Sequence, residues 1–341
     1  MLLTRRFPIR LLLLFSAPTV LRAAAWATVV FALYAWAELT FLRVPFLPIG
    51  TVGTAVAFYV GFKNNAAYDR FWEGRKIWGG IVNVSRTWAT AVTCYVHAGH
   101  DDDDARAARR ALVLRHLAWV NALRLQLRRT SRFHERPSRT TRARLERHAE
   151  LMRNDWELEL SPLLADEELA ATRAVANPAA HLLQRQGEQL ATMVRAQRLD
   201  LFHQISMMEA IREMYSLQGM CERIKNTPLP RQYAEFSRLF TRVLAVLLPF
   251  GMLDVFATHI EAATRAGLVL PGLTMVLSSS LVTWVFIMME GIGDSSEDPF
   301  ERSMNDVPMN ALSRGIEIDL RQMLGDTAVP APERAVDHIL Y

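Results

Sequence analysis

Four stretches of the chain are almost free of charge, and the polar residues between them recur mostly with helical spacing. Residues 23–42 (AAAWATVVFALYAWAELTFL) carry a single charge, Glu38. Twenty residues at ~1.5 Å each are enough to cross ~30 Å of hydrocarbon. RVPFLP follows, with two prolines suited to a tight connection. Residues 46–62 (FLPIGTVGTAVAFYVGF) form a second uncharged block, near the lower length limit for a span. Far downstream, 243–258 (VLAVLLPFGMLDVFAT) is a weaker third block holding Pro249 and Asp254. Residues 267–289 are a strong fourth block with no charge. This pattern predicts four transmembrane helices. The leading segment 1–22 starts like a secretory signal, but its apolar run Leu11–Phe15 is short and Arg22 interrupts the place of cleavage. An uncleaved amphipathic lead-in is expected instead.

Between the two apolar pairs the pattern stays helical. Residues 105–128 and 181–224 space their apolar positions three and four apart, and Asn226-Thr227-Pro228-Leu229-Pro230 ends the second stretch. No strand-like alternation of useful length and no internal repeat is present. The expected organisation is a lead-in over 1–22 and a transmembrane hairpin over 23–65. A cytosolic helical body over 66–238, a second transmembrane pair over 239–290 and a tail over 291–341 that packs on neighbouring surface complete it. Four crossings place both termini and the middle body on one side. That side carries Arg5, Arg6, Arg10 and Arg22 before the first span and Lys63, Arg70, Arg75 and Lys76 after the second, against Arg43 and Arg265 opposite. The arginine-rich side is therefore expected in the cytoplasm, and the protein in the cell (inner) membrane.

Composition changes this picture little. Apolar residues are 51% and charged residues 22%, and a net charge of +4 names no partner. Cys94 and Cys221 form neither a disulfide framework nor a metal pair, which suits free thiols in a reducing compartment. The sequence has no phosphate-cradling glycine loop, nucleophile elbow or zinc-spaced cysteines, so neither an enzyme nor a cofactor is expected. His97-Ala98-Gly99-His100 before Asp101–Asp104 fits a hard-cation site or, more simply, a solvated loop. Arginines crowd 106–153, but aromatics are sparse and Glu135, Glu146, Glu150 and Asp155 interrupt them. A solvated face able to touch lipid is expected there, not nucleic-acid binding. Glu38 lies close enough to its block's end to snorkel to the interface. Asp254, beyond Pro249, suits a structural acceptor as well as an ion-handling group.

The second block poses the main question, because Lys63, Asp69, Arg70, Glu73, Arg75 and Lys76 follow it with no proline and no turn. Thr54, Phe58 and Phe62 recur every fourth residue as one stripe, and Gly50, Gly53 and Gly61 offer surfaces for close helix approach. A helix facing protein or an aqueous cavity can pass from apolar to wet without a break. The same spacing also describes an ordinary span that continues as a cytoplasmic helix.

Gly61-Phe62-Lys63-Asn64-Asn65-Ala66-Ala67-Tyr68-Asp69-Arg70-Phe71-Trp72-Glu73-Gly74-Arg75-Lys76-Ile77-Trp78-Gly79 resembles the signature of prokaryotic bestrophins. So do Glu222-Arg223-Ile224-Lys225-Asn226-Thr227-Pro228-Leu229-Pro230 and Leu248-Pro249-Phe250-Gly251. Asp298-Pro299-Phe300 with Asn305-Asp306-Val307-Pro308 resembles the family's segment after the last span. The resemblance does not extend over 99–195. It implies an all-α membrane protein of four transmembrane helices and a helical cytosolic domain, assembled as a cyclic homopentamer around a central pore. The implied function is an ion channel for small monovalent ions such as chloride, with membrane lipid and further copies of itself as partners. Carried onto this chain, the family's hydrophobic neck falls on Thr54, Phe58 and Phe62, and its cytosolic aperture on Phe202, with Ile205 one turn on as the competing position. Where animal members place a calcium-holding acidic run, this chain has Glu301-Arg302-Ser303-Met304-Asn305-Asp306, so no calcium gating and no metal site is expected. A monovalent-cation (sodium) channel of the same architecture, or a membrane-tethered interaction or sensor protein, are the competing expectations.

Overall fold

The computed structural model describes residues 1, 3, 9–96, 102–129, 146–301, 303 and 305–341. Among these the chain is helical, with no strand beyond a single bridge between Val336 and Ile339. Of the candidate cation-binding stretch His97–Asp104, residues 97–101 lie outside the described residues, as do Arg302 and Met304. The chain divides into two compact units. One comprises Thr4–Asp69 and Leu229–Glu297, the other Met1–Leu3, Arg70–Pro228 and Asp298–Tyr341.

The first unit holds α1 (Ile9–Ala35), the first half of α2 (Phe46–Tyr95), α8 (Arg231–Glu261) and α9 (Val269–Ser296). Each is long and apolar enough to cross a membrane. Their shared core contains Val30, Phe31, Ile49, Val56, Val60, Leu244, Leu248, Leu253 and Met275. Close approach depends on missing side chains. A Cβ on Gly272 would stand 2.6 Å from the Phe31 ring, and one on Gly251 would stand 2.9 Å from Ile49 Cδ1.

The first span differs from its expected place. It ends at Ala35 rather than at 42 and begins inside the lead-in, passing through Pro18. Lead-in and span are one helix, because nothing between Ile9 and Ala35 stops it. Glu38 follows in a left-handed turn (φ 57°), outside the helix rather than snorkelling from within it. Asp254 serves as a structural acceptor. Its oxygens take Arg43 Nε at 2.8 Å and the Phe46 amide at 3.1 Å, while Arg43 and Tyr34 also reach Glu261, each at 3.1 Å. These bonds hold the α1–α2 connection to the end of α8.

The second unit contains the rest of α2, α3 (Asp102–Leu127), α4 (Trp156–Leu160), α5 (Asp166–Ala174), α6 (Pro178–Arg195), α7 (Leu201–Asn226) and α10 (Met309–Met323). The stretch 181–224 is two helices, not one. Gln197 adopts φ 56°, and Asp200 then caps α7 by accepting from the Phe202 amide at 2.8 Å. The core of this unit surrounds Trp78, Trp88, Trp119, Leu123, Leu182 and Met214. The tail adds α10, whose Met309, Ile316 and Leu320 are buried in that core.

Candidate functional site

Helix α2 runs unbroken for 50 residues, about 75 Å at the helical rise. Its apolar-to-charged transition therefore needs no turn, because the two faces have different environments. One face is buried: Val56, Val60 and Lys63 in the first unit, then Ile77, Trp78, Ile81, Trp88 and Val92 in the second. Thr54, Phe58, Phe62 and Asn65 lie on an exposed face. Phe58 is 67% and Phe62 70% exposed within the chain. The Thr54 hydroxyl donates to its own helix at Gly50 O, 3.1 Å away. Thr54, Phe58 and Phe62 thus share one surface, as the four-residue spacing required. Beside it runs a groove of about 720 Å³, floored by Gly50, Gly53, Ala57 and Gly61 and walled by Leu248 and Phe286.

Immediately below the stripe, Lys63 is fully buried. Its ammonium donates to Glu290 Oε1 at 2.7 Å and to Asp294, and Arg238 Nε meets Asp294 Oδ2 at 3.0 Å. Two cations and two carboxylates offset one another there, which a buried charge requires. Asn64 donates to Met289 O at 2.9 Å. Residues 63 and 64 thereby tie α2 to α9 and fix the rotation that presents Phe62. In the sequence Lys63 counts as the first charge after an apolar run, among the positive charges of one membrane side, and within the family-like motif. Its partners lie more than two hundred residues away, beyond any local pattern.

In the second unit the segments carrying the motifs converge. Arg70 Nη1 donates to Thr227 O at 2.8 Å and Nη2 to Ile224 O at 3.0 Å, and Glu73 pairs with Arg223. Gly74 packs closely on the Phe300 ring and Pro299, where an added Cβ would stand only 3.2 and 3.4 Å from them. Lys225 pairs with Glu301. The long motif on α2, the ERIKNTPLP stretch and the DPFE stretch form one hydrogen-bonded junction.

The other pair of predicted site residues begins α7. The Asp200 cap sets the first turn so that Phe202 is 78% and Ile205 55% exposed on the same side, three residues apart. Both positions are open, so exposure does not decide between them. Nearby chemistry is quiet. Cys221 is buried and its thiol is pushed far up by loss of solvent, which leaves it unreactive. Among the described residues no cluster of three metal-ligating side chains is present.

Residues 13–322 match the family model for Bacterial/Fungal Bestrophin protein. A voltage-dependent anion channel-forming protein of Mesorhizobium japonicum is 28% identical over 309 residues, covering 91% of this chain and 85% of that one. A similarly named protein of Escherichia coli is 28% identical over 284 residues, covering 83% and 78%. The crystal structure of a bacterial bestrophin homolog from Klebsiella pneumoniae superposes with a TM-score of 0.74 at 23% identity, over 92% of this chain and 99% of that one. The match spans all four membrane helices and every segment of the motif junction, and this chain belongs to the bacterial and fungal bestrophin family.

Proposed function

We propose that the protein is an anion channel of the cell (inner) membrane, built from five copies around a central pore. The observation that carries it is the exposed phenylalanine stripe on a continuous helix, Phe58 and Phe62, within a unit of four apolar helices. Cyclic symmetry turns one stripe per chain into rings, and a narrow ring of aromatic side chains gates by dewetting. Ring edges directed inward present the positive side of the aromatic quadrupole, which favours a weakly hydrated anion. The names of the Mesorhizobium and Escherichia relatives agree with this direction of selectivity. Thr54, Phe58 and Phe62 form the neck, and Phe202, with Ile205 as the alternative, forms a second constriction. The arginine-rich termini and the helical body lie in the cytoplasm. Transport of ions, not catalysis, is the activity.

The test is reversal potential in a potassium chloride gradient across bilayers holding purified protein. It is expected to move toward the chloride equilibrium value, and Phe58→Ala is expected to raise conductance severalfold while weakening that selectivity. A potential following potassium would make the channel a cation conductor. Absence of current together with a monomeric mass in detergent would leave only a membrane-tethered interaction protein.

A further inference from the structure

A second groove of the membrane unit, about 440 Å³, lies among α1, α8 and α9. Its lining is divided by chemistry. Arg22 and Arg242 stand at one end, while Trp26, Val246 and Ile287 supply an apolar wall. Trp26 is held against that wall by its indole N–H, which donates to Val246 O at 3.1 Å. Arg22 precedes the apolar part of α1 and Arg242 that of α8, so both mark the same end of their spans.

The charge arithmetic at this end does not close. Glu290 and Asp294 also line the groove, but Lys63 and Arg238 already offset them. Arg22 donates from Nε to its own helix at Pro18 O, 2.9 Å away, and meets no carboxylate among the described residues. Arg242 makes no ion pair among them either. Two guanidinium charges therefore remain over at the mouth of an amphipathic groove. Thr241, next to Arg242 on α8 and only 2% exposed, lines the same groove and has a buried hydroxyl with no partner. The unpartnered Thr241 hydroxyl, the Arg242 guanidinium and the terminal nitrogens of Arg22 are the donors a phosphate diester takes, and the tryptophan wall fits the first carbons of an acyl chain.

We infer that this groove is a binding site for an anionic glycerophospholipid of the cytoplasmic leaflet, its phosphate held by Arg22 and Arg242 and its acyl chain laid along Trp26 and Val246. The leaflet assignment rests on the orientation given under the proposed function; the groove and its unbalanced charge do not. The lipid would bridge α1 to α8 at the end where the buried Lys63 cluster ties α2 to α9, so its headgroup is placed to stabilise the helices that carry the neck.

Native mass spectrometry of the purified assembly with short-chain phosphatidylglycerol, phosphatidylcholine or inorganic phosphate tests the inference. Phosphatidylglycerol is expected to bind, to be preferred over phosphatidylcholine, and to be insensitive to millimolar inorganic phosphate. Losing one basic side chain near an anionic headgroup weakens binding about fivefold, so Arg22→Gln with Arg242→Gln should weaken it about 30-fold. Arg265→Gln, on the connection before α9, should leave it unchanged, and Arg22→Lys with Arg242→Lys should restore most of the preference. Equal affinity for phosphatidylcholine, or an unchanged affinity in the double glutamine variant, overturns the site. Displacement by inorganic phosphate overturns the lipid assignment and leaves a free-anion site. Chloride current in vesicles containing phosphatidylglycerol is read alongside. If it is absent from the wild-type protein while lipid binding holds, the channel assignment fails and the lipid site stands.

Discussion

His116 is fully buried between Trp88 and Trp119, and its Nε2 lies 2.9 Å from Ser85 Oγ. Burial alone pushes its pKa down from 6.5 to about 3, so the ring is neutral in the folded protein. A group whose folded value is depressed stabilises fully above its unfolded value, and that contribution fades as pH falls from 6.5 toward about 3. Asp306 works in the opposite sense. Burial raises it from 3.8 to about 7, against the Ser303 side chain and backbone, which hold it lower. Its contribution is complete below 3.8 and is lost as pH rises through about 7. Melting temperature against pH should therefore fall less steeply on acidification for His116→Phe than for wild type. Asp306→Asn should instead remove the loss between weakly acidic and neutral pH. Parallel curves for all three proteins would contradict both assignments. The sequence marks Asp306 only as part of a family-like segment and does not mark His116 at all, because burial beside partners on α2 or in the tail is a tertiary property.

At the scale of elements, helix contacts in the membrane unit are set by what glycine leaves out. Gly272 on α9 admits the Phe31 ring of α1, and a Cβ there would sit 2.6 and 2.7 Å from two ring carbons. Gly291 on the same helix has nothing within 4 Å. Gly272→Ala is expected to destabilise by about 1–3 kcal/mol through overpacking, while Gly291→Ala should be neutral or slightly stabilising. Thermal unfolding in detergent measures both, and equal effects would show that the α1–α9 contact is not tight. Apolar run length made the four membrane helices legible before any coordinates, because hydrocarbon thickness sets that length directly. Their ends were less legible. The amphipathic lead-in shares a helix with the first span, and Glu38 sits beyond that helix, since run length counts residues without seeing where backbone turns left-handed. The break near Gln197 was hidden for a related reason: both α6 and α7 carry helical periodicity, and only the Asp200 cap separates them. The Thr54–Phe58–Phe62 stripe survived intact because a four-residue spacing on an unbroken helix fixes which side chains share a face.

For the whole molecule, the stripe and the groove beside it have to be considered together. Phe58 and Phe62 project from α2, and Gly50, Gly53, Ala57 and Gly61 recede next to them to form the floor of the 720 Å³ groove. If the recess receives a neighbouring copy while Phe58 and Phe62 stay free to face the axis, the contact is heterologous, and such a contact either closes into a ring or extends without limit. Gly61 separates this contact from the chain's own packing. An added Cβ at Gly61 meets nothing within 4 Å of its own chain. Gly61→Leu should therefore leave the helices and core of a single chain intact but fill the recess that a neighbouring copy needs. The expected result is an unchanged helical circular dichroism signal with a mass in detergent reduced from five chains to one. A variant that stays pentameric would place the neighbouring chain elsewhere and remove the groove from the interface. One that loses helicity would show that Gly61 serves the fold of the chain itself. The first of these outcomes would also remove the ring of phenylalanines, because a neck made by α2 requires each copy of that helix to lie beside the next.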